Sequence, residues 1–263
     1  MPTSPLITVM VNAVRKATRG LARDFGEVEN LQVSKKGPAD FVTRADRKVE
    51  KILFEELQKA RPRFGFKMEE GGDRAGIDPD SRWIIDPIDG TTNFIHGIPA
   101  FATSVGLEQR GEIVAGVIYN PASNELFTAE KGRGAYLDGR RIRVSGRTSL
   151  DNAVIACGLP HTGRTDLGQF RTELACLQDK VAGLRRFGAA SLDLAWVAAG
   201  RFDGFWERGL SAWDIAAGII MIKEAGGIIG PLDGHGNILK SGDILAGNPD
   251  IYRAMEKALR GAR

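Results

Sequence analysis

Apolar residues recur at helical spacing from the start of the chain. Leu6, Val9, Met10, Ala13, Val14, Ala17 and Leu21 share one face of a 3.6-residue period, and Ser4-Pro5 offers an N-cap followed by proline at the first helical position. This pattern predicts an amphipathic opening helix. A polar loop over residues 34–40 follows. Thr43-Arg44-Ala45-Asp46 then reads as a capping box leading into Val49, Ile52, Leu53, Leu57 and Ala60, with Pro62 ending that helix. From Trp83 to Val144 the period changes. Short apolar runs at residues 83–85, 102–107, 113–119 and 125–129, separated by Gly, Asn-Pro and Asp-Gly turns, predict a mostly antiparallel sheet.

Beyond about residue 150 strands and helices alternate, which indicates an α/β half. The pattern places strands at 153–157, 184–187 and 204–207, and helices at 167–181, 191–199, 213–225 and 251–259, with Gly226-Gly227 closing the third of these helices. No internal repeat and no Pro/Ser-rich linker interrupts the chain. Residues 1–263 are therefore expected to form one catalytic unit, with approximate halves 1–147 (helices plus a large antiparallel sheet) and 148–263. The junction of the halves is the natural place for a site.

Composition narrows the function classes. Lys+Arg 36 against Asp+Glu 33 leaves a formal charge of +3, less lopsided than a dedicated nucleic-acid protein usually is. With 43% apolar and 26% charged residues the chain has the composition of a globular protein with a sizeable core. The outlier is glycine, 33 of 263 residues against a usual share of roughly 7% and without a short period, which marks turns and close backbone approaches. The apolar run from Leu6 to Val11 is too short for a signal h-region, its basic residues follow it, and no stretch approaches the length of a membrane span. Cys157 and Cys176 have neither CxxC spacing nor a nearby His cluster, so buried thiols in a reducing cytoplasm are expected.

Common catalytic signatures are missing: there is no P-loop, no GxGxxG after a strand, no GxSxG elbow and no HExxH. His96, His161 and His235 are isolated in Gly- or Pro-containing loops, which leaves carboxylates as the source of general-base chemistry. The most informative segment is Trp83-Ile84-Ile85-Asp86-Pro87-Ile88-Asp89-Gly90-Thr91-Thr92-Asn93-Phe94. An apolar strand delivers two aspartates at its C-terminal end, Pro87 prevents a regular ladder between them, and Gly90 permits a tight turn. Both carboxylates and the Ile88 carbonyl can then converge on a hard cation, while Gly90-Thr91-Thr92 offers backbone N–H groups to a phosphate. The same residues also suit an ordinary turn with Asp89 as a helix cap. Glu69-Glu70 ends another apolar run, Asp214 opens a helix, and Asp46 lies in the capping box; capping or a solvated turn accounts for each when taken alone.

Taken together these segments resemble the inositol monophosphatase family. Asp40-Phe41-Val42-Thr43-Arg44-Ala45-Asp46, Glu69-Glu70, the 83–94 string and Trp213-Asp214-Ile215-Ala216-Ala217-Gly218 stand in that family's order and approximate spacing, and the likeness runs from about Val9 to Asn248. Met68 departs from the Gly of many members, and the loop from Gly71 to Ser81 is short.

The resemblance implies an α+β (α/β) layered αβαβα sandwich of the inositol monophosphatase / fructose-1,6-bisphosphatase type, with two or three Mg²⁺ ions per site. By similarity the metal ligands are Glu69, Asp86, the Ile88 carbonyl, Asp89 and Asp214, and the catalytic residues Asp46, Glu69 and Thr91, which activate water as the nucleophile. Substrate contacts are expected from Ile88, Asp89, Gly90, Thr91, Arg185, Gly188, Ala190, Glu207 and Asp214. The implied reaction is hydrolysis of myo-inositol monophosphate. The same chemistry on histidinol phosphate, fructose 1,6-bisphosphate or a 3'-phosphonucleotide is the alternative. A homodimer, sensitivity to lithium and a cytoplasmic location without membrane association are further expectations of the likeness. Some bacterial relatives also act as partners of RNA and the transcription machinery, and Arg140, Arg141, Arg143 and Arg147 form a basic stretch open either to such a contact or to solvent.

Overall fold

A computed structural model of the chain describes residues 4–26, 33–37, 40–160 and 166–262. Ser4 Oγ accepts the Ile7 N–H at 3.1 Å, so the opening helix starts where the cap and proline place it. The chain runs through helices α1 (Pro5–Ala17) and α2 (Leu21–Gly26), strands β1 (Val33–Gly37) and β2 (Asp40–Thr43), and helix α3 (Arg44–Ala60). Strands β3 (Gly65–Met68), β4 (Gly72–Arg74) and β5 (Ser81–Asp89) lead to the short helix α4 (Thr91–Ile95). Then come β6 (Ala102–Gln109), β7 (Glu112–Asn120), β8 (Glu125–Glu130), β9 (Gly134–Leu137), β10 (Arg140–Ile142) and β11 (Val154–Cys157). Helix α5 (Leu167–Leu177), β12 (Gly183–Arg185), α6 (Ala190–Ala198), β13 (Gly204–Glu207) and α7 (Ala212–Glu224) follow, and β14 (Ile228–Pro231), α8 (Ile238–Ser241), β15 (Ile244–Gly247) and α9 (Pro249–Leu259) complete the fold.

Among the described residues the large sheet has eight strands in the order β10-β9-β8-β7-β6-β5-β3-β4 and is antiparallel except where β3 meets β5. A second sheet has the order β12-β11-β13-β15-β14, with β11 parallel to both β12 and β13 and the other two pairings antiparallel. Helices α1 and α3 cover the outer face of the large sheet, where Met10, Val14, Leu53 and Leu57 meet Trp83, Ile85, Val105 and Val117. Between the sheets lie α6 and α7, with Leu192, Leu194, Ile215 and Ile220 packed against Ile84, Ile118, Phe127 and Phe205. Outside the second sheet α5 and α9 bring Phe170, Leu177, Ile251 and Met255 onto Ile155, Trp206 and Leu245. The layers are thus αβαβα, as the resemblance implies.

A helix between two sheets must be apolar all round, and α7 is buried along nearly its whole length. Its close approach to the large sheet depends on a glycine pair: Gly106 and Gly116 lie opposite each other on β6 and β7. A Cβ on Gly106 would come within 2.8 Å of Ala216 Cβ, and one on Gly116 within 2.9 Å of the Ala217 Cα. This contact sets the depth of the helix that carries Asp214.

Several sequence expectations need correction. The span 34–40 is not a plain loop, because its described residues belong to the antiparallel pair β1–β2; alternating polar residues there give no apolar signal. The α/β half also holds β14 and β15, which the pattern does not place and which pair antiparallel, because four-residue strands are too short to stand out beside Gly226-Gly227 and Gly247. The opening helix stops at Ala17, four residues short of Leu21, and the helix expected to reach Val181 ends at Leu177. The last helix begins earlier than expected, at Pro249, with Asn248 as its cap. His161 lies outside the described residues. No helix among the described residues is long and apolar enough to cross a membrane.

Candidate active site

Strand β5 runs in register with β6 up to Asp86↔Ser104, slips, and resumes at Asp89↔Ala102, so three steps on one strand match two on the other. The extra residue is a bulge at Pro87-Ile88, where proline has no N–H to give the ladder. Thr103 Oγ1 donates to the Pro87 carbonyl at 2.7 Å and fixes the bulge. Its effect is to bring Asp86 and Asp89 to one side. The Ile88 carbonyl leaves the ladder, as the sequence suggests, but it accepts the Thr91 hydroxyl at 3.0 Å. Gly90 sits at φ 86°, ψ 37°, the left-handed conformation that glycine adopts at little cost, and α4 starts from it.

The other carboxylates arrive from separate layers. In the parallel pair β3–β5, Met68 is level with Ile85, and the Glu69 N–H continues the ladder to the Ile85 carbonyl at 3.3 Å, which sets Glu69 beside Asp86. Asp214 comes from the first turn of α7. It does not cap that helix alone, since Ser211 is the N-cap residue and Asp214 Oδ2 accepts the Ser211 N–H at 2.7 Å. Asp46, in the first turn of α3 and 1% exposed, lies 3.3 Å from Thr91 Oγ1.

Asp86, Asp89 and Asp214 are all buried, and each places a carboxylate oxygen within 4.8 Å of the others. At an effective dielectric near 20, two unit charges at this spacing repel by roughly 3–4 kcal/mol. Burial pushes the Asp86 carboxyl well above the usual range, and Glu69, Asp89, Asp214 and Asp46 add to the rise in that order. The four other carboxylates expected as metal ligands or catalytic residues therefore all act on Asp86. Asp89 is raised to about 7, mainly by burial and then by Asp214, against the opposing hydrogen bonds of Ser191. Asp86 Oδ1 is buried and has no hydrogen-bond partner among the described residues. A set of hard, mutually repelling oxygen donors with an unsatisfied oxygen at its centre fits a divalent cation of the Mg²⁺ type.

Asp89 does cap a helix, though not the next one. Its Oδ2 accepts both the N–H and the hydroxyl of Ser191, at 2.7 and 2.6 Å, at the start of α6. Ser191 was missed in the sequence. The available clue was that α6 begins at Gly188-Ala189-Ala190 with no capping side chain of its own. Asn93 donates to the carbonyls of both Ala100 and Phe187 at 2.6 Å and holds the 187–190 segment against α4. A Cβ on Gly90 would lie 3.1 Å from Ala189 Cβ and 3.4 Å from the Gly188 carbonyl, so Gly188 and Ala189 pack against the Asp-Gly turn, and the Ala190 backbone N–H donates to the Asp89 carboxylate.

Glu207 ends β13, level with the C-terminal ends of β11 and β12, the usual side for ligands on parallel strands. Its carboxylate lies directly on Gly158, where a Cβ would meet it at 1.7 Å. The next residue, Arg208, pairs with Glu173 at 2.6 Å, Asp233 at 2.9 Å and Asp243 at 3.2 Å, which ties the strand end to α5 and to the segments on either side of α8. Arg185 is exposed and donates to the Leu184 carbonyl. Burial, with the nearby Glu207 charge, pushes the Cys157 thiol up to about 12, so it is no nucleophile. Among the described residues the rings of His96 and His235 hydrogen-bond to carbonyls close by in the chain, those of Thr92 and Asp233.

The sequence profile of the inositol monophosphatase family matches residues 3–262. The chain belongs to the inositol monophosphatase family. It is 58% identical over 260 residues to a Mesorhizobium japonicum protein named inositol-1-monophosphatase, covering 99% of this chain and 98% of that one. It is 41% identical to the Escherichia coli protein named Nus factor SuhB, covering 97% and 96% of the two chains. A crystal structure of the extragenic suppressor protein suhB from Bartonella henselae superposes with a TM-score of 0.95 at 56% identity, covering 98% of this chain and 99% of that one. The Thermotoga maritima IMPase superposes with a TM-score of 0.88 at 34% identity, covering 98% of each chain, so an inositol monophosphatase relative shares the layered fold.

A raised carboxyl pKa in the folded state means that the folded chain holds more protons than the unfolded one, so stability falls as pH rises between the two values. Metal-stripped protein should therefore lose thermal stability from about pH 5 to pH 7.5, added Mg²⁺ should restore it, and Asp86→Asn should flatten the loss and abolish the restoration. Thermal denaturation with and without chelator checks this; a midpoint that rises over that pH range would contradict it.

Proposed function

We propose that the protein is a Mg²⁺-dependent phosphomonoesterase that hydrolyses myo-inositol monophosphate to inositol and phosphate. The observation that carries the reading is the buried cluster of Asp86, Asp89 and Asp214, with Glu69 and Asp46 close enough to act on Asp86, within a member of the inositol monophosphatase family. Glu69, Asp86, the Ile88 carbonyl, Asp89 and Asp214 would hold the ions. When bound, these would supply positive charge to the phosphoryl oxygens and acidify a water molecule.

The chain's own groups supply the rest. Thr91 Oγ1, which has Asp46 and the Ile88 carbonyl as acceptors, turns its lone pairs toward an incoming water and passes that water's proton toward Asp46. The water oxygen attacks phosphorus, the ester P–O bond breaks, and the leaving alkoxide takes a proton from solvent. Backbone N–H groups of Gly90 and Thr91 donate to the phosphate oxygens, Glu207 accepts polyol hydroxyls, and Gly188 and Ala190 let the ring approach backbone.

A second role, RNA or transcription-complex binding in addition to catalysis, is favoured by the likeness to Nus factor SuhB and by Arg140 and Arg141, exposed on the edge strand β10. Arg147 is less available, because it pairs with the buried Asp203. Salt-sensitive RNA binding that is lost in an Arg140→Ala/Arg141→Ala variant is the expected result; equal binding by the variant would remove this role.

The main proposal is tested with Mg²⁺ and a panel of inositol 1-phosphate, histidinol phosphate, fructose 1,6-bisphosphate and a 3'-phosphonucleotide. Inositol 1-phosphate should give the highest kcat/KM, and lithium should inhibit. Inositol 1-phosphate as the poorest substrate would overturn the substrate assignment.

A further inference from the structure

We infer that Glu50 is a positioning residue for the turn that carries Glu69, an inference that rests on the reading of Glu69 as a metal ligand. On α3 the residues Asp46, Glu50, Leu53 and Leu57 follow 4-3-4 spacing and form one buried stripe. Two carboxylates thus occupy positions where that periodicity calls for apolar side chains. Asp46 has its task at Thr91. Glu50, one helical turn further on and 6% exposed, faces the turn after β3, where its Oε2 accepts the backbone N–H of Glu70 at 2.8 Å.

The turn is closed tightly on this carboxylate. A Cβ on Gly71 would lie 2.9 Å from Glu50 Oε1 and 2.9 Å from Met68 Cε. On its other side Glu69 is pinned to β5 through the Ile85 carbonyl. The N–H groups of residues 69 and 70 are therefore held by two different layers, β5 and α3, and the Glu69 side chain leaves the backbone between these anchors. One helix consequently sets both Asp46 and, through Glu50, the direction of Glu69. Groups that orient a metal ligand from behind typically change metal affinity by about 10- to 100-fold when removed.

The test uses the full chain and Mg²⁺ alone as the probe, reading the cation-induced rise in melting temperature, with a parallel activity titration on inositol 1-phosphate. Glu50→Ala should need roughly 10-fold more Mg²⁺ for half of the melting-temperature rise, with the same displacement of the Mg²⁺ curve for kcat, while KM for substrate at saturating Mg²⁺ stays within about twofold. Glu50→Gln keeps an acceptor oxygen in place and should stay close to wild type. Should Glu50→Ala fail to fold, Gly71→Ala presses on the same contact with the carboxylate retained and should displace the Mg²⁺ curve in the same direction. A Glu50→Ala curve that overlays wild type, or a Glu50→Gln variant as impaired as Glu50→Ala, would overturn the positioning role. A wild type without any Mg²⁺ response overturns the metal reading itself, which separates the two failures.

Discussion

Like-charge repulsion among buried carboxylates is the constraint on which this fold turns. Asp86 is closed off from water and feels Glu69, Asp89, Asp214 and Asp46, each of which disfavours its charged form. Buried charges of one sign persist only where something of opposite sign can join them. In the metal-free chain the strain is partly offset by protonation and by local hydrogen bonds: Ser191 holds Asp89, and the Ser211 N–H holds Asp214. These contacts fix one oxygen of each carboxylate. Asp86 Oδ1 at the centre has no such partner among the described residues.

The layers exist around this cluster in a definite way. One sheet contributes Asp86 and Asp89 through the bulge at Pro87-Ile88, the middle helix layer contributes Asp214, and the outer helix α3 contributes Asp46. The Gly106–Gly116 pair lets α7 reach the depth at which Asp214 meets the strand end. Asp89 reverses the usual order of capping, since a strand-end carboxylate caps α6 across the fold. That bond couples the strand that carries Asp86 and Asp89 to Gly188 and Ala190, the segment proposed to meet the polyol. The proposed cation, phosphate and polyol subsites would thereby be joined through one side chain.

How much of this is legible in the sequence depends on where the signal lies. Glu69, Asp86 and Asp89 stand where apolar runs end, but Asp46 and Asp214 open helices and read alone as caps; the resemblance to the inositol monophosphatase family is what gathers the five into one set. The helices of the outer layers carry amphipathic stripes that mark their presence, while α1 and α5 stop about a turn before the apolar pattern does. Strands β14 and β15, four residues each, carry too little pattern, and the β1–β2 pair carries none in its polar residues. Contacts between distant segments were invisible. Ser191, Asn93 and Glu50 act on groups 102, 94 and 20 residues away, and no local pattern marks such pairs. Glu50 did leave a trace, a charge on a stripe that is otherwise core, but an isolated Glu on a helix reads as surface until burial is known.

The central claim is that the carboxylate cluster is a cation clamp. Anomalous diffraction from crystals grown with Mn²⁺ as a Mg²⁺ substitute tests it most directly. Peaks are expected between Asp86, Asp89 and Asp214 and beside Glu69, with the Asp86 carboxylate shared between sites. An ordered crystal at saturating Mn²⁺ with no peak at Asp86, or with manganese bound only elsewhere, would contradict it.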